Sequence, residues 1–415
     1  MKNTKNKVEL LAPGGNLAKV KTALAYDADA VYLGVPDFSL RVRINDFNLK
    51  TLKEAVDIIH EKKKKVYVTI NIFAHNFHID KIKKYLSELK KIGPDALIIS
   101  DPGIIALVKK YYPKIDIHLS TQANCTNYEA VKFWYKQGVK RIVLGREVTL
   151  KEIKEIKKEC PKMELEYFIH GAMCMSYSGR CFLSKDFVDR SANLGDCVQP
   201  CRWEYDVFLK PKGHDKELEL VAEKHGSYLL NSKDLCLVRS VQDLIKAGIT
   251  SFKIEGRAKS VYYLANIIAI YKRAIKEPKK ISYLYKELKE KITNRGYTDG
   301  FLLGAKAEQN TENSHTVSNW EFCGQVLDNV FMDENGKYIN NLKIKVHNTI
   351  KEGDKVEIVL PDYEIVKIKV NKIIDPKSGD QISEAHGGGG GQEVVLTVKS
   401  DFYIPELSVL RRLVK

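Results

Sequence analysis

The 415-residue chain lacks any run of roughly 18 apolar residues that would span a bilayer. Its polar opening, MKNTKNK, does not lead into the apolar stretch of a secretory signal, because VELLAPGG reads as a short strand. These absences point to a soluble, cytoplasmic protein. In a reducing compartment the eight cysteines do not argue for a disulfide framework, which belongs to small secreted domains. No G-x-G-x-x-G follows the first strand candidate, which speaks against a dinucleotide-binding fold. The chain contains neither H-E-x-x-H nor G-x-S-x-G, so it gives proteolysis no recognisable motif. The run HGGGGG at 386–391 lacks the G-K-[ST] ending of a phosphate loop and reads as a flexible hairpin tip.

What is present is a regular alternation. Strand candidates fall at 8–11, 30–34, 66–71, 96–101, 115–121, 141–145, 165–170, 228–231 and 251–255. Between them lie stretches such as LKTLKEAVDIIHEK, IDKIKKYLSELKKI and NYEAVKFWYKQG, with apolar residues at helical spacing. Alternating β and α units imply a parallel sheet covered by helices. About eight such units favour closure into a (β/α)8, TIM-like barrel over an open sheet. After residue 310 the pattern changes. VHNTIKEGDKVEIVLPDYEIVKIKV and QEVVLTVKS alternate apolar and polar residues between turn signals, as in a small antiparallel, barrel-like β domain. The expected organisation is a barrel over 1–310, a linker, and a β domain over 320–415.

Charge divides along the same line. Residues 1–310 hold 55 Lys/Arg and 37 Asp/Glu, a net of +18, against 13 and 16 in 311–415, a net of −3. Such an excess attracts polyanions by releasing their counterions. Lysine-rich helices with solvated faces, as in HEKKKKV, account for the same numbers.

The stretch GAMCMSYSGRCFLS (171–184) places Cys174 and Cys181 directly after the strand candidate ELEYFIHG, where a parallel barrel carries its chemistry. Cys197 and Cys201 follow in the same excursion, and Cys236 follows another strand candidate. The spacing Cys-x6-Cys-x15-Cys-x38-Cys is not that of a zinc ribbon. An iron–sulfur cluster also takes four thiolates and tolerates looser spacing. Buried, inert cysteines are the alternative, although neighbours such as Gly, Ser, Asp and Gln make poor core. Cys160 and Cys323 look structural, and Cys125 competes for a ligand position.

ELEYFIHGAMCMSYSGRCFLS resembles the signature of the family known as the U32 peptidases. GDCVQPCRWEY, NSKDLC, FKIEGR and the opening ELLAPGG sit where that family has its other blocks. The resemblance covers nearly the whole chain. It is strongest to the branch that hydroxylates wobble uridine of tRNA to 5-hydroxyuridine, with prephenate rather than molecular oxygen as hydroxyl source. It implies a [4Fe–4S] cluster on Cys174, Cys181, Cys197 and Cys236, with Cys201 able to replace Cys197. The alternatives it carries are a collagenase-like peptidase, with a cysteine nucleophile paired to His170, and a non-tRNA Fe–S factor of the quinone-hydroxylation type.

Around the expected barrel mouth, Arg146 and Glu147 close one strand, and Lys253, Glu255 and Arg257 close another. Alternation puts the last three on one face, as a cationic pocket with an acid inside. Arginine forks there suit a small dicarboxylate such as prephenate. An ordinary ion-pair belt explains the same residues. His170, Gln122 and Asp101 also sit at strand ends. Tyr177, Trp203 and the pair Tyr262–Tyr263 are either packing residues or platforms for a splayed base.

Overall fold

The structure, a computed structural model, describes residues 8–35, 37–40, 46–174, 176–210, 212–213, 218–220, 231–304, 308–310, 318–334, 337–400 and 402–414. Strands β1 (Glu9–Gly14), β2 (Ala30–Gly34), β3 (Lys65–Ile70), β4 (Ala96–Ile99), β5 (Asp116–Leu119), β6 (Arg141–Val143) and β7 (Glu164–Gly171) each pair in parallel with the next. The chain then makes a hairpin of β8 (Val207–Leu209) and β9 (Leu218–Leu220), followed by β10 (Asp234–Cys236), which runs antiparallel to β7. Strand β11 (Ser251–Ile254) pairs in parallel with both β7 and β1 and closes an eight-stranded barrel. β10 also pairs with the short β12 (Tyr297–Thr298). The barrel expected from the alternation is therefore present. The strand candidate 228–231 and most of the expected linker lie outside the described residues.

Local chemistry explains the elements. Buried on both faces, the barrel strands read as continuous apolar runs, as AVYLG shows in β2. Helix α2 (Leu49–Glu61), which follows α1 (Leu17–Ala25), opens on a capping box in which Asn48 and Thr51 serve each other's backbone N–H groups. Its buried residues Leu52, Ala55, Val56 and Ile59 repeat at helical spacing. α3 (Asn76–Ile92) and α4 (Pro102–Tyr111) follow β3 and β4. Asp101, a candidate by its strand-end position, is the N-cap of α4 and accepts from Ile104 N–H at 2.9 Å. α5 (Tyr128–Lys136) and α6 (Leu150–Glu159) complete the run before β7, α7 (Leu183–Val188) lies in the excursion after it, and α8 (Val241–Lys246) precedes β11. No helix among the described residues is long and apolar enough to cross a membrane.

Two compact units divide the chain. The first comprises Met1–Val20, Ala28–Ala258 and Asn294–Thr316, and the second Lys21–Asp27, Lys259–Thr293 and Val317–Lys415. The second unit thus reaches back before residue 310 to take α9 (Val261–Lys276) and α10 (Ile281–Lys291). It has an antiparallel sheet in the spatial order β17 (Ile365–Lys369), β16 (Lys355–Val359), β22 (Val409–Leu413), β13 (Trp320–Glu334), β14 (Lys337–Val346), β21 (Glu393–Ser400), β18 (Ile373–Ile374) and β19 (Gln381–Ile382). A second ladder joins β15 (Ile350–Lys351) to β20 (Glu384–Ala385). The sheet curls as a half-barrel around a core that includes Cys323, Val326, Leu342, Ile358 and Leu410. The glycine run is the connection from β20 to β21. A Cβ on Gly387 would meet the His347 carbonyl oxygen at 1.7 Å, so close approach requires glycine there.

The second unit holds a buried charge network. Arg411, with no exposed surface, donates to Glu357 at 2.9 Å, Glu287 at 2.8 Å and Asn266 at 3.2 Å. Lys291 pairs with the same two carboxylates, and its ammonium lies 4.2 Å from the Trp320 ring centroid. Two cations face two anions, so the cluster is neutral and its desolvation is offset by pairing. Arg412 is held by Glu321 and Asp354. Both arginines of β22 are thus engaged in ion pairs.

Two outcomes follow for stability. Arg411→Ala strands two buried carboxylates and should cost about 3–5 kcal/mol by urea unfolding. Despite its burial, Lys291 and Arg411 hold the Glu357 carboxyl below its ordinary value of 4.5. Its contribution is therefore complete above that value and lost as pH falls through the lower folded-state value. Urea midpoints measured downward from neutral pH should decline only in the acid range, and less steeply in Glu357→Gln.

Candidate functional site at the barrel mouth

β7 ends at Gly171, whose φ of 117° and close approach to Glu255 exclude any side chain: a Cβ there would lie 2.7 Å from the Glu255 carbonyl oxygen. Beyond it the cysteine-bearing excursion folds back over the barrel. Ser178 N–H donates to Glu147 at 2.7 Å, and Ser178 Oγ donates to Asn124 Oδ1 at 2.9 Å. Arg180 Nε donates to the Gln122 carbonyl at 3.0 Å. Asn193 accepts from Cys181 N–H at 3.1 Å, and its own carbonyl accepts from Phe73 N–H at 3.1 Å. The loop is tied to the ends of β3, β5 and β6.

Under this loop lies a cavity of about 370 Å³, within the range of small-molecule sites. One wall is sulfur: Cys174, Cys181, Cys197 and Cys201 all line it. Arg146, Lys253 and Arg257 line it as well, with the acid Glu255. Tyr32, Thr69, Asn71, Ser120, Gln122 and Phe168 supply aromatic and neutral polar surface.

The cationic residues differ in how they are held. Lys253 Nζ donates to the fully buried Glu166 at 2.7 Å and sits 4.6 Å from the Tyr32 ring centroid. Burial lowers its pKa below the ordinary lysine value, and Glu166 works against that shift. Glu166 also meets Arg141 at 3.3 Å, and Arg141 reaches Glu9 at 2.6 Å. Arg257 contacts Ser39 and Thr69 at 3.4 Å and the Leu40 carbonyl. Arg146 stacks over Phe168 at 3.8 Å and has no carboxylate partner among the described residues. Glu255 accepts weakly from Ala172 N–H at 3.4 Å.

Of the expected site residues, the fold gathers Arg146, Lys253, Glu255, Arg257, Cys174, Cys181 and Cys197 on one cavity. Three are not among its lining. Glu147 spends one carboxylate oxygen on Ser178 N–H, orienting the loop. His170 is buried, with its ring 5.5 Å from that of Tyr297. Cys236 is buried on β10, in register opposite His170. Cys201 is the thiol that joins the wall in addition. Tyr262 and Tyr263 are buried in α9 and pack within the second unit, whereas Tyr177 and Trp203 are exposed.

The donor chemistry of the sulfur wall suits an iron–sulfur cluster. Cys181 Sγ accepts from Leu183 N–H at 3.4 Å, and Cys197 Sγ from Gln199 N–H at 3.3 Å. Burial raises the Cys201 pKa, Arg202 opposes that, and Cys174, Cys197 and Cys181 add to it as like charges. Among the described residues no three His, Cys, Asp or Glu side chains already converge as metal ligands do.

Glu166, Asn71 and Ser120 escaped the reading of the sequence. Glu166 carries a usable signal, an acid at an inward position of a barrel strand, but its partner Lys253 is 87 residues away.

The pattern of Peptidase family U32 matches residues 15–312, and that of the Peptidase family U32 C-terminal domain matches residues 318–411. The chain belongs to peptidase family U32. Among relatives, a Haemophilus influenzae protein named "tRNA hydroxylation protein P" is 37% identical over 99% of this chain and 97% of its own length. An Escherichia coli protein of the same name is 38% identical, covering 86% and 87%. The Escherichia coli "23S rRNA 5-hydroxycytidine C2501 synthase" is 32% identical, covering 89% of this chain and 55% of its own. The cysteine block of this U32 chain is thus set in a sequence similar throughout to proteins named for RNA hydroxylation.

Thiol accessibility should divide the eight cysteines evenly. In the native, metal-free protein, a disulfide-exchange reagent should titrate Cys174, Cys181, Cys197 and Cys201, while the buried Cys125, Cys160, Cys236 and Cys323 react only in denaturant. Burial pushes both Cys125 and Cys323 up to about 12, which slows them further. Peptide mass mapping that finds Cys236 among the fast thiols contradicts this placement.

Proposed function

We propose that this protein is a cytoplasmic RNA hydroxylase that converts wobble uridine of tRNA to 5-hydroxyuridine. The observation that carries the reading is one cavity lined by four cysteines and three cationic residues. Similarity to two proteins named for tRNA hydroxylation, covering most of the chain, supports it. So does the net +18 of residues 1–310, which suits a polyanion.

In this reading Cys174, Cys181 and Cys197, with Cys236 or Cys201 as the fourth thiolate, would hold a [4Fe–4S] cluster, which would supply an electron-transfer or iron-binding centre. The lining favours Cys201, and the family resemblance favours Cys236. Arg146, without a carboxylate partner among the described residues, takes a carboxylate of prephenate, with Arg257 beside it. Lys253 is fixed between Glu166 and two aromatic rings and holds positive charge at the cavity floor. Glu255 is the one acid of the lining among the described residues and is placed to hold or receive a proton. The peptidase reading needs an accessible cysteine–histidine pair, whereas His170 and its register partner Cys236 are each 1% exposed and outside the lining.

Nucleoside mass spectrometry of tRNA tests the reading. Deleting the gene should remove 5-hydroxyuridine derivatives, and the intact gene should restore them. Unchanged derivatives in a strain with no second such enzyme would refute it. Arg146→Ala should raise the prephenate requirement about 10–100-fold, the worth of one charge-assisted contact, while leaving thermal stability near that of the parent. Anaerobic purification should yield brown protein with about four iron and four sulfide per chain, and Cys201→Ser set against Cys236→Ser identifies the fourth ligand from iron content and visible absorbance.

A further inference from the structure

Gln122 is 6% exposed and lines the cavity, yet its side-chain oxygen Oε1 is buried without a hydrogen-bond partner. A buried acceptor left unmade costs free energy unless something completes it. The residue is also held firmly. It lies in the single turn Thr121–Ala123 that directly follows β5. Ser120 N–H donates to the Ile99 carbonyl at 2.8 Å, Thr121 Oγ1 donates to the Leu144 carbonyl at 3.2 Å, and the Gln122 carbonyl receives Arg180. Both neighbouring strands and the cysteine loop therefore fix its backbone.

Two positions back, Ser120 Oγ lines the same cavity and accepts from Asn71 Nδ2 at 3.3 Å, leaving its own hydrogen to donate. The cavity thus presents an unfilled carbonyl acceptor and an adjacent hydroxyl donor. An acceptor followed by a donor complements the uracil edge, where N3–H gives and a carbonyl oxygen receives. Cytosine shows the reverse, a bare N3 beside an amino group.

We infer that Gln122 is the specificity-determining residue of the site, its Oε1 accepting N3–H of a uracil base turned into the cavity. This deepens the proposed function and rests on that reading of the site. A base extruded from a single-stranded loop is read by such edge contacts. A site built to satisfy a polar partner rejects the analogue that lacks it, because its own buried group is then left unpaired.

The test uses the full chain and fluorescent anticodon stem-loop hairpins carrying uridine, 3-methyluridine or cytidine at the wobble position, with binding read by anisotropy. The parent protein should bind the uridine hairpin about tenfold more tightly than either of the others. Gln122→Ala should bind it about tenfold more weakly and lose most of that preference, with an unfolding temperature matching the parent's. Gln122→Glu, which keeps an acceptor at the same place, should retain the preference. Equal binding of the uridine and 3-methyluridine hairpins by the parent overturns the inference while leaving the hydroxylase reading intact, as does an undiminished preference in Gln122→Ala. If the parent binds no hairpin while 5-hydroxyuridine is also unchanged in the deletion strain, the reading itself fails and takes the inference with it.

Discussion

The parallel pairing of β7 with β11 is the constraint on which the site depends. Ser251 pairs with Glu166, Phe252 with Tyr167 and Lys253 with Phe168, although a long excursion separates the two strands. This pairing closes the barrel. It also places the start of the cysteine loop beside the strand end that carries Lys253, Glu255 and Arg257. A sulfur wall and a cationic wall face one cavity because these two strands are neighbours. The bulge between Lys253 and Ile254 falls at this seam and re-aims the chain as it leaves the sheet.

Alongside an apolar cluster of Leu11, Ala30, Tyr32, Tyr67, Ala96 and Ile98, the barrel strands bury several charges, which is costly unless each is answered. Glu166 answers Lys253 and Arg141, Arg141 answers Glu9 and Glu164, and Ser251 donates to Glu9. His118 packs against Tyr67, where burial and the nearby Arg141 hold its pKa well below the ordinary histidine value, so it stays neutral. A network of this kind fixes the Lys253 ammonium far better than solvent would. Rigid placement of charge at the floor of a site is what electrostatic recognition of an anion requires.

How much of this was legible in the sequence follows from the range of each interaction. The barrel was readable because its strands are short apolar runs set between amphipathic helices, a local pattern. The cysteine wall was readable because four thiols share one glycine- and serine-rich excursion. Burial of Cys236 was not: NSKDLC has the composition of a turn, yet its last three residues form a strand antiparallel to β7. Membership of α9 and α10 in the second unit was hidden too, since it depends on Arg411 reaching Asn266 and Glu287. Gln122 looked like one polar residue among several at strand ends. Only the three-dimensional surroundings reveal that its oxygen has nothing to accept from.

The order of strands in the second unit bears on how the protein is made. β22 is translated after all its partners, yet it sits between β16 and β13 and is hydrogen-bonded on both sides. Until Val409–Leu413 leaves the ribosome, β16 and β13 have no shared neighbour and expose unpaired ladder edges. The half-barrel therefore closes only after its other strands are made, and it depends on a five-residue segment that arrives late. A nascent chain stalled before that segment presents adhesive edges, the kind of intermediate that a chaperone at the tunnel exit shields.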